Sequence, residues 1–163
     1  MVAKPGATVD SELADSEQVD SELVDSLVQL SFAVHGMLVR VAARHDLSVT
    51  QLRLLGILRD RTPPMTGIAE HLGLDRSSIT GLVDRAERRG LVSRATSAQD
   101  ARVTIVSAAP AGLALVRLVA AAVTAEIESL TAHVPRADRE CIVRVARSVV
   151  GAPFEQGDTL PVP

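Results

Sequence analysis

Two short amphipathic segments joined by a three-residue hinge constrain this sequence more than any other feature. The first segment, "MTGIAEHL" over residues 65–72, ends at Gly73, and glycine is a common helix C-cap because it adopts a left-handed backbone without steric cost. The second segment follows Asp75, a residue type that caps helix N-termini well. Its apolar residues recur at helical spacing: Ile79, Leu82, Val83 and Ala86. Two helices with this hinge predict a helix-turn-helix over residues 65–90.

The flanking segments extend this motif to a winged helix-turn-helix. Before it, Ser48-x-x-Gln51 is a capping-box pattern at the start of an apolar helix, "SVTQLRLLGILRD". After it, "LVSR" and "RVTIVS" predict two strands around the polar turn "ATSAQDA", and "APAG" at 109–112 breaks the chain. We therefore predict a mainly α fold with a small β-hairpin wing, in which residues 47–109 form the winged helix-turn-helix.

Long apolar helices are predicted on both sides of this domain. Leu23, Leu27 and Leu30 begin a broad apolar stripe that continues at helical spacing over about 20–45. Two more helices are predicted over about 112–133 and 136–150, separated by Val134-Pro135. So broad an apolar surface favours packing against a second chain, although a helix central to a monomeric core is the alternative. Residues 20–46 and 110–150 are therefore predicted to form a helical dimerisation region.

The charge of the chain is unevenly placed. The formal net charge is −3, but residues 1–25 carry −6, so residues 26–163 carry +3. Residues 1–19 are acidic and serine-rich and contain the first copy of a near-repeat, "VDSELADSEQ" then "VDSELVDSLV", which predicts a disordered head. Residues 151–163 are predicted to be a Pro-rich tail. Because the segment from Arg76 to Arg102 carries +3, the overall charge does not exclude a nucleic-acid partner.

The sequence lacks the patterns that are typical of several classes of function. The four histidines are scattered, and the sequence has no Ser/His/Asp or Cys/His motif, no Gly-rich phosphate loop and no closely spaced metal-ligand cluster. We therefore expect neither an enzyme nor a bound metal or cofactor. Cys141 is the only cysteine, which fits a reducing cytosol, and its amphipathic surroundings predict a buried, inert thiol. No apolar run approaching 18 residues and no signal-peptide pattern is evident, so a cytoplasmic protein without membrane spans is expected.

The outward face of the second helix of the motif is unusual. Opposite the apolar stripe lie Ser77, Gly81, Asp84 and Arg88, flanked by Thr80 and Arg85. Short hydroxyls at one end and arginines at the other differ from the Glu/Lys mixture of a solvated face, and they suit phosphates and base edges in a DNA major groove. We expect Asp84 to pair with Arg88, one turn away. The alternative is a solvated face with an accidental cluster of Arg85, Arg88 and Arg89.

The polar turn of the hairpin also carries residues that suit contacts with DNA. Asp100 lies two residues before Arg102, so its carboxylate is expected to hold the guanidinium for insertion into an A·T-rich minor groove. An ordinary hairpin with a surface ion pair is the alternative. Arg94 is expected to contact phosphate or to pair with Asp100. The residues predicted to contact DNA are Arg76, Ser77, Ser78, Thr80, Gly81, Arg85, Arg88, Arg94, Asp100 and Arg102.

Over roughly residues 20–150 the sequence resembles the MarR (multiple antibiotic resistance regulator) family of bacterial transcription regulators. The strings that carry the resemblance are "SVTQLRLLGIL", "GIAEHLGLDRSSITGLVDRAERRGLVSR" and the wing "SAQDARVTIVSAAPAG", with its Asp100-Ala101-Arg102. The resemblance implies a homodimer with interleaved N- and C-terminal helices, a recognition helix over 76–89 and a wing over 94–103. It also implies a palindromic operator read by two recognition helices.

The resemblance further implies a repressor released by a small lipophilic or phenolic anion. Such an effector would bind between the dimerisation and DNA-binding regions, and its candidate ligands here are His35, Val39, Arg40 and Arg53; each could instead pack or face solvent. Activation instead of repression stays open, because it depends on where the operator lies. A winged-helix module used only for protein contacts also stays open.

Overall fold

The computed structural model describes the backbone of residues 7–150 and the side chains of residues 20–149. Within these residues it contains helices and one two-stranded antiparallel sheet, which confirms the mainly α fold with a hairpin wing. The elements in chain order are α1 Ala7–Ala43, α2 Val49–Leu58, α3 Met65–Leu72, α4 Arg76–Arg88, β1 Val92–Thr96, β2 Thr104–Ala108, α5 Pro110–Thr131 and α6 Arg136–Val150.

The chain divides into two units inside α1, between Leu38 and Val39. The first unit is helical from Ala7, whereas the sequence predicted a disordered head over 1–19 and a helix from about residue 20. Composition poor in apolar residues argues against burial, but the hydrogen bonds of a helix are local and do not require a buried face. Residues 1–6 of the predicted head and the predicted tail over 151–163 lie outside the described residues.

The first unit exposes an apolar stripe along α1. Its members are 44–71% exposed: Leu23, Val24, Leu27, Val28, Leu30 and Phe32. All of them except Phe32 are residues whose helical spacing predicted a broad apolar surface. In the single chain, no described residue of this unit packs over this apolar surface.

In the second unit, capping residues define where the helices begin and end. The hydroxyl of Ser48 accepts from the Gln51 backbone N–H at 3.1 Å, and the Gln51 side chain accepts from the Ser48 backbone N–H at 2.9 Å, so the predicted capping box of α2 is confirmed. Gly73 ends α3 with φ 64°, in the left-handed region that glycine favours. Asp75 caps α4. The hinge between α3 and α4 is therefore the one that the sequence predicted.

An aliphatic core holds the helix-turn-helix, the sheet and α5 together. The largest fully buried side chains of the second unit are Val41, Leu54, Leu55, Ile68, Ile79, Val83, Val106, Val116 and Val119. Gly112 lies in the first turn of α5, where an added Cβ would be 2.0 Å from the backbone oxygen of Leu91. The Ala109 backbone N–H donates to the same oxygen at 2.9 Å. The start of α5 thus lies directly against the chain that enters β1.

The sheet places the wing beside α3 and α4. Strands β1 and β2 pair in the register Val92↔Ala108 through Thr96↔Thr104. The segment before α3 adds an isolated bridge, Pro64↔Ile105, and the Val106 backbone N–H donates to the Pro63 carbonyl at 3.0 Å. Since β2 is thereby fixed to the entrance of α3, the hairpin is held at a defined position on the domain.

Helices α5 and α6 also expose apolar residues, which the structure places at Leu118, Leu130, Ile142, Val143, Val145 and Val149. Cys141 is exposed in the single chain, so the prediction of a buried thiol is wrong for it. The reason is that all described side chains of α6 are exposed, so no face of this helix is buried in the domain core.

Two helical segments, Asp20–Ala43 and Pro110–Thr131, are long and apolar enough to cross a membrane by length and composition alone. This measure does not test the expectation from the sequence, which concerned an uninterrupted apolar run. An uninterrupted apolar run is a stricter criterion than a mean hydropathy that tolerates two charges in 18 residues. A helix that packs against other protein helices passes the looser test as well.

Candidate functional site

The first turn of α4 is organised around the carboxylate of Asp75. Its Oδ1 accepts from the backbone N–H groups of Ser77 and Ser78, each at 2.8 Å, and from the Ser77 hydroxyl at 2.6 Å. Its Oδ2 accepts from the Ser78 hydroxyl at 2.7 Å. The hydrogen bonds from the Ser77 hydroxyl and then the Ser78 hydroxyl hold the pKa of Asp75 far below its ordinary value. The cap is therefore ionised at every pH near neutrality.

The predicted outward face of α4 points to solvent. Ser77, Ser78, Thr80, Arg85 and Arg88 are exposed. Gly81 is half-buried, and a Cβ added there would lie 3.3 Å from a terminal guanidinium nitrogen of Arg85, so the arginine crosses the helix surface at the glycine. The absence of a side chain at Gly81 leaves room for the guanidinium close to the helix backbone.

Asp84 and Arg94 form a contact that the sequence did not predict. Arg94 Nη2 donates to the carboxylate of Asp84, and Arg94 Nη1 lies 3.6 Å from a carboxylate oxygen of Glu87. The predicted Asp84–Arg88 ion pair is wrong, since Arg88 Nε donates instead to the Asp84 backbone carbonyl at 3.3 Å. The predicted Arg94–Asp100 pair is also wrong, because strand β1 directs Arg94 toward α4.

Arg94 therefore ties the wing to the recognition-helix candidate. Its side chain is 27% exposed, and its Nε atom is buried without a partner among the described residues. It contacts both acidic residues of α4, Asp84 and Glu87, and its positive charge offsets one of their two negative charges. The outward surface of this helix is consequently more positive than its sequence alone suggests.

The arginines at the end of α4 have different roles. Arg89 Nη1 donates to the Asp46 carbonyl at 2.5 Å, in the turn between α1 and α2, so Arg89 joins elements of the domain. Arg85 and Arg88 are exposed and make no ion pair among the described residues. The sequence cluster of three arginines therefore separates into one structural residue and two that face solvent.

The tip of the wing is shaped by Asp100 through the backbone. Its Oδ1 accepts from the Arg102 backbone N–H at 2.9 Å, and its carbonyl accepts from the Val103 N–H at 3.0 Å. The expectation that this carboxylate orients the Arg102 guanidinium is wrong, because it is used to form the turn. Arg102 is exposed. The wing presents its guanidinium without an ion pair to any described residue.

Two clefts flank the N-terminal half of α4. One, of about 670 Å³, lies between α3, α4 and the sheet, and the predicted residues in its lining are Arg76, Thr80, Arg94 and Arg102. The other, of about 400 Å³, is lined by Ser77, Ser78, Gly81 and Arg85 together with Ser48 and Thr50 at the start of α2. The structure thus gathers eight of the ten predicted residues around one half of one helix, and Arg88 and Asp100 lie outside both linings.

Sequence reasoning missed several polar residues of these clefts. Thr50 belongs to the first turn of α2, and Thr66 and Thr104 come from α3 and β2. The position of Thr50 in the first turn of a capped helix was a usable signal, because such turns present free backbone N–H groups. Nothing local in the sequence marks Thr66 or Thr104, since only the packing of β2 on α3 brings them together.

The four predicted effector ligands do not line either cleft. His35, Val39, Arg40 and Arg53 are all exposed in the single chain. Arg53 Nη2 lies 3.5 Å from the His71 carbonyl, at the end of α3. The effector site stays a prediction.

Residues 45–103 match the model of the MarR family. A relative named as an uncharacterized HTH-type transcriptional regulator, YfiV of Bacillus subtilis (strain 168), is 39% identical over 62 residues, or 37% of this chain. The matched part spans only 39% of that relative's length. The sequence likeness is therefore concentrated in the winged helix-turn-helix.

Solved structures extend the likeness to most of the fold. A MarR-family transcriptional regulator from Rhodococcus sp. RHA1 is 24% identical, with a TM-score of 0.69 over 80% of this chain and 93% of its own. CouR from Rhodococcus jostii RHA1, solved bound to p-coumaroyl-CoA, is 26% identical with a TM-score of 0.63 over 76% and 87%. Apo MarR from E. coli is 18% identical with a TM-score of 0.71 over 79% and 96%. Residues 45–103 thus match the MarR family, and the fold of the chain is that of solved MarR-family transcriptional regulators.

Proposed function

We propose that this protein is a cytoplasmic, sequence-specific transcriptional repressor that binds a palindromic operator as a homodimer and is released by a small-molecule effector. The observation that carries the proposal is the outward face of α4, flanked by two clefts and by the exposed Arg102 of the wing. A helix of this kind enters the major groove with its N-terminal residues at base edges, and a wing arginine reaches the neighbouring minor groove.

Charge placement supports DNA as the partner. Arg76, Arg85 and Arg102 are exposed, and no described residue forms an ion pair with them. Arg94 contacts both acidic residues of the same helix, Asp84 and Glu87, and offsets one of their two negative charges. Free guanidinium groups around one helix can neutralise phosphates, so binding must weaken steeply as salt rises.

Exposed apolar surface supports a homodimer. The stripe on α1 and, separately, the apolar residues of α5 and α6 are solvent-exposed in the single chain. Exposed apolar residues of this kind favour a protein interface, and a second copy carries the same residues. Two recognition helices related by a two-fold axis would read a palindrome, with one half-site for each copy.

An effector is proposed from the ligand of a related structure. CouR was solved with p-coumaroyl-CoA, an anion with a phenolic group. In this chain we propose His35, Val39, Arg40 and Arg53 as ligands for a small lipophilic or phenolic anion. We expect the DNA affinity of the wild-type protein to fall when such anions are added. A variant that lacks Arg40 and Arg53 should keep its DNA affinity under the same conditions.

The test is fluorescence anisotropy of the full chain on labelled DNA from the region flanking its own gene. Unlabelled unrelated DNA serves as competitor, and the titration is repeated at several salt concentrations. We expect competitor-resistant binding whose logarithm falls linearly with the logarithm of salt concentration. Binding that unrelated DNA abolishes, or that salt leaves unchanged, contradicts the proposal and favours a winged-helix module that contacts proteins.

Repression and activation are separated by a transcription assay on the same DNA. Repression predicts fewer transcripts when the protein is added, because an operator that overlaps the promoter excludes the polymerase. More transcripts would make the protein an activator, with the DNA-binding part of the proposal intact.

A further inference from the structure

Three hydroxyl groups near the start of α4 donate hydrogen bonds to acceptors within the protein. The Ser77 hydroxyl lies 2.6 Å from Asp75 Oδ1 and the Ser78 hydroxyl 2.7 Å from Asp75 Oδ2. The Thr80 hydroxyl lies 2.7 Å from the Arg76 carbonyl oxygen. An ionised carboxylate and a carbonyl can only accept hydrogen bonds, so the hydroxyl must be the donor in each pair.

The direction of these bonds leaves only lone pairs for an external partner. Ser77, Ser78 and Thr80 are exposed, so their oxygens are accessible from outside the helix. Each hydroxyl has one proton and two lone pairs, and the proton points back to the protein. The hydroxyl oxygens of Ser77, Ser78 and Thr80 therefore face outward as hydrogen-bond acceptors.

The groups on major-groove base edges are either hydrogen-bond donors or hydrogen-bond acceptors. Guanine N7 and O6, adenine N7, thymine O4 and the phosphate oxygens are all acceptors, whereas the adenine N6 and cytosine N4 amino groups are donors. An acceptor hydroxyl meets the amino groups favourably and the other groups unfavourably. We propose that Ser77 and Ser78 specify adenine or cytosine by accepting from its exocyclic amino group.

This inference rests on the proposed DNA-binding function and adds which bases the first turn of the helix selects. The 400 Å³ cleft gives it a geometric basis, because Ser77 and Ser78 line that cleft together with Arg85. Arg85 has only donors, which suit guanine or phosphate. The cleft thus has acceptors at one end and a donor at the other, and a half-site should present an amino group and an acceptor in the corresponding order.

Replacing Asp75 by asparagine should turn the Ser78 hydroxyl from an acceptor into a donor toward DNA and leave the Ser77 hydroxyl an acceptor. Both backbone N–H groups donate to Oδ1, which fixes an amide oxygen at that position in Asp75→Asn. The amide nitrogen then takes the place of Oδ2 and donates to the Ser78 oxygen. The Ser78 proton is released to face outward, while Ser77 still donates to Oδ1. The cap is kept, and only Ser78 becomes a donor.

The experiment begins with in vitro selection of operators from random DNA by the full-length wild-type protein and by Asp75→Asn. Wild type should select adenine or cytosine at both contacted positions. Asp75→Asn should keep the base opposite Ser77 and shift the base opposite Ser78 toward guanine or thymine. Thermal unfolding of both proteins serves as the control for an intact cap.

A second measurement uses base analogues and requires no change in the protein. In the selected wild-type operator, each adenine is replaced by 2′-deoxynebularine and each cytosine by its analogue without the N4 amino group. Removing a contacted amino group should lower wild-type affinity about fivefold. In Ser78→Ala the same replacement at the base opposite Ser78 should have no effect, because the acceptor is gone.

The outcomes separate this inference from the function on which it rests. If wild type selects no operator at all, the proposed function fails. If wild type selects an operator in which no amino group affects affinity, DNA binding stands and the acceptor inference is overturned. An Asp75→Asn protein that melts like wild type and selects an identical operator overturns it as well.

Discussion

At the scale of single residues, the structure separates arginines that hold the domain together from arginines that face outward. Arg89 donates to the Asp46 carbonyl and Arg94 pairs with two acids of α4, whereas Arg102 has its backbone, and not its guanidinium, bonded to Asp100. All three belong to one basic segment of the sequence. Only Arg102 of these three therefore has a guanidinium that is available to DNA.

Arg102→Ala should weaken operator binding and leave the fold unchanged. The wing turn depends on the backbone N–H of residue 102, which alanine keeps, so only the contact of the guanidinium with DNA is lost. We expect a loss of roughly 1–3 kcal/mol in anisotropy titrations. Arg136→Ala is the matched control, because that exposed arginine pairs with Glu140 on α6, and its affinity should equal that of wild type. Equal affinities for both variants would remove the wing from the interface.

At the scale of elements, the contact of Arg94 with Asp84 and Glu87 joins the wing to α4. The charged groups are partly shielded, since the Arg94 side chain is only 27% exposed. Removing one member of such a network leaves the others without compensation. The pairing is therefore both a structural tie and a device that keeps negative charge away from the outward face of the helix.

Arg94→Ala should lower both stability and DNA affinity. We expect unfolding in urea to show a loss of about 1–3 kcal/mol, from lost charge-assisted hydrogen bonds. DNA affinity should fall further because Asp84 and Glu87 would then repel phosphate. Adding Asp84→Asn to Arg94→Ala should restore part of the affinity without restoring the stability. If the double variant binds no better than Arg94→Ala, electrostatic compensation is not the role of this arginine.

The stability of the junction between β1 and α5 depends on the glycine at position 112. At Gly112 a Cβ would lie 2.0 Å from the Leu91 backbone oxygen, which also accepts a hydrogen bond from the Ala109 backbone N–H. Gly112→Ala should therefore destabilise the domain by about 3 kcal/mol or more, measured by urea unfolding.

Gly67→Ala is the control for this prediction. It lies inside α3, where its Cβ would meet Pro64 at an ordinary 3.6 Å. Helix propensity alone predicts a gain of up to about 1 kcal/mol there. Similar effects of the two substitutions would contradict the clash at Gly112.

At the scale of the whole molecule, the apolar residues that remain exposed are the strongest indication of assembly. On α6 the exposed residues Ile142, Val145 and Val149 share one face, while Arg144 lies on the opposite face. A helix with this pattern requires a partner for its apolar side. We assign that partner to a second copy under the proposed function.

Ile142→Asp should dissociate the dimer, because a buried carboxylate without a partner is costly. Sedimentation of the full chain should give a dimer of 17.2 kDa subunits for wild type and a shift to monomer for this variant. Arg144→Asp places the same charge on the opposite face and should remain dimeric. Monomeric wild-type protein at micromolar concentration would contradict the homodimer.

The sequence by itself determined the elements whose signals are local. The Ser48 capping box, the Gly73 and Asp75 caps and the periodic apolar residues each act within about one helical turn, so they can be read from neighbouring letters. The order of helices and the hairpin followed from them, and the helix-turn-helix was predicted at its observed position.

Only the tertiary structure decided which charged groups meet. Asp84 had Arg88 one turn away, but β1 brings Arg94 against it from ten residues along the chain, and that choice depends on the packing of a strand on a helix. The same packing formed the two clefts. Caps and periodicity follow from short-range hydrogen bonds and burial, whereas partners in ion pairs and the lining of a cleft follow from how separate elements pack.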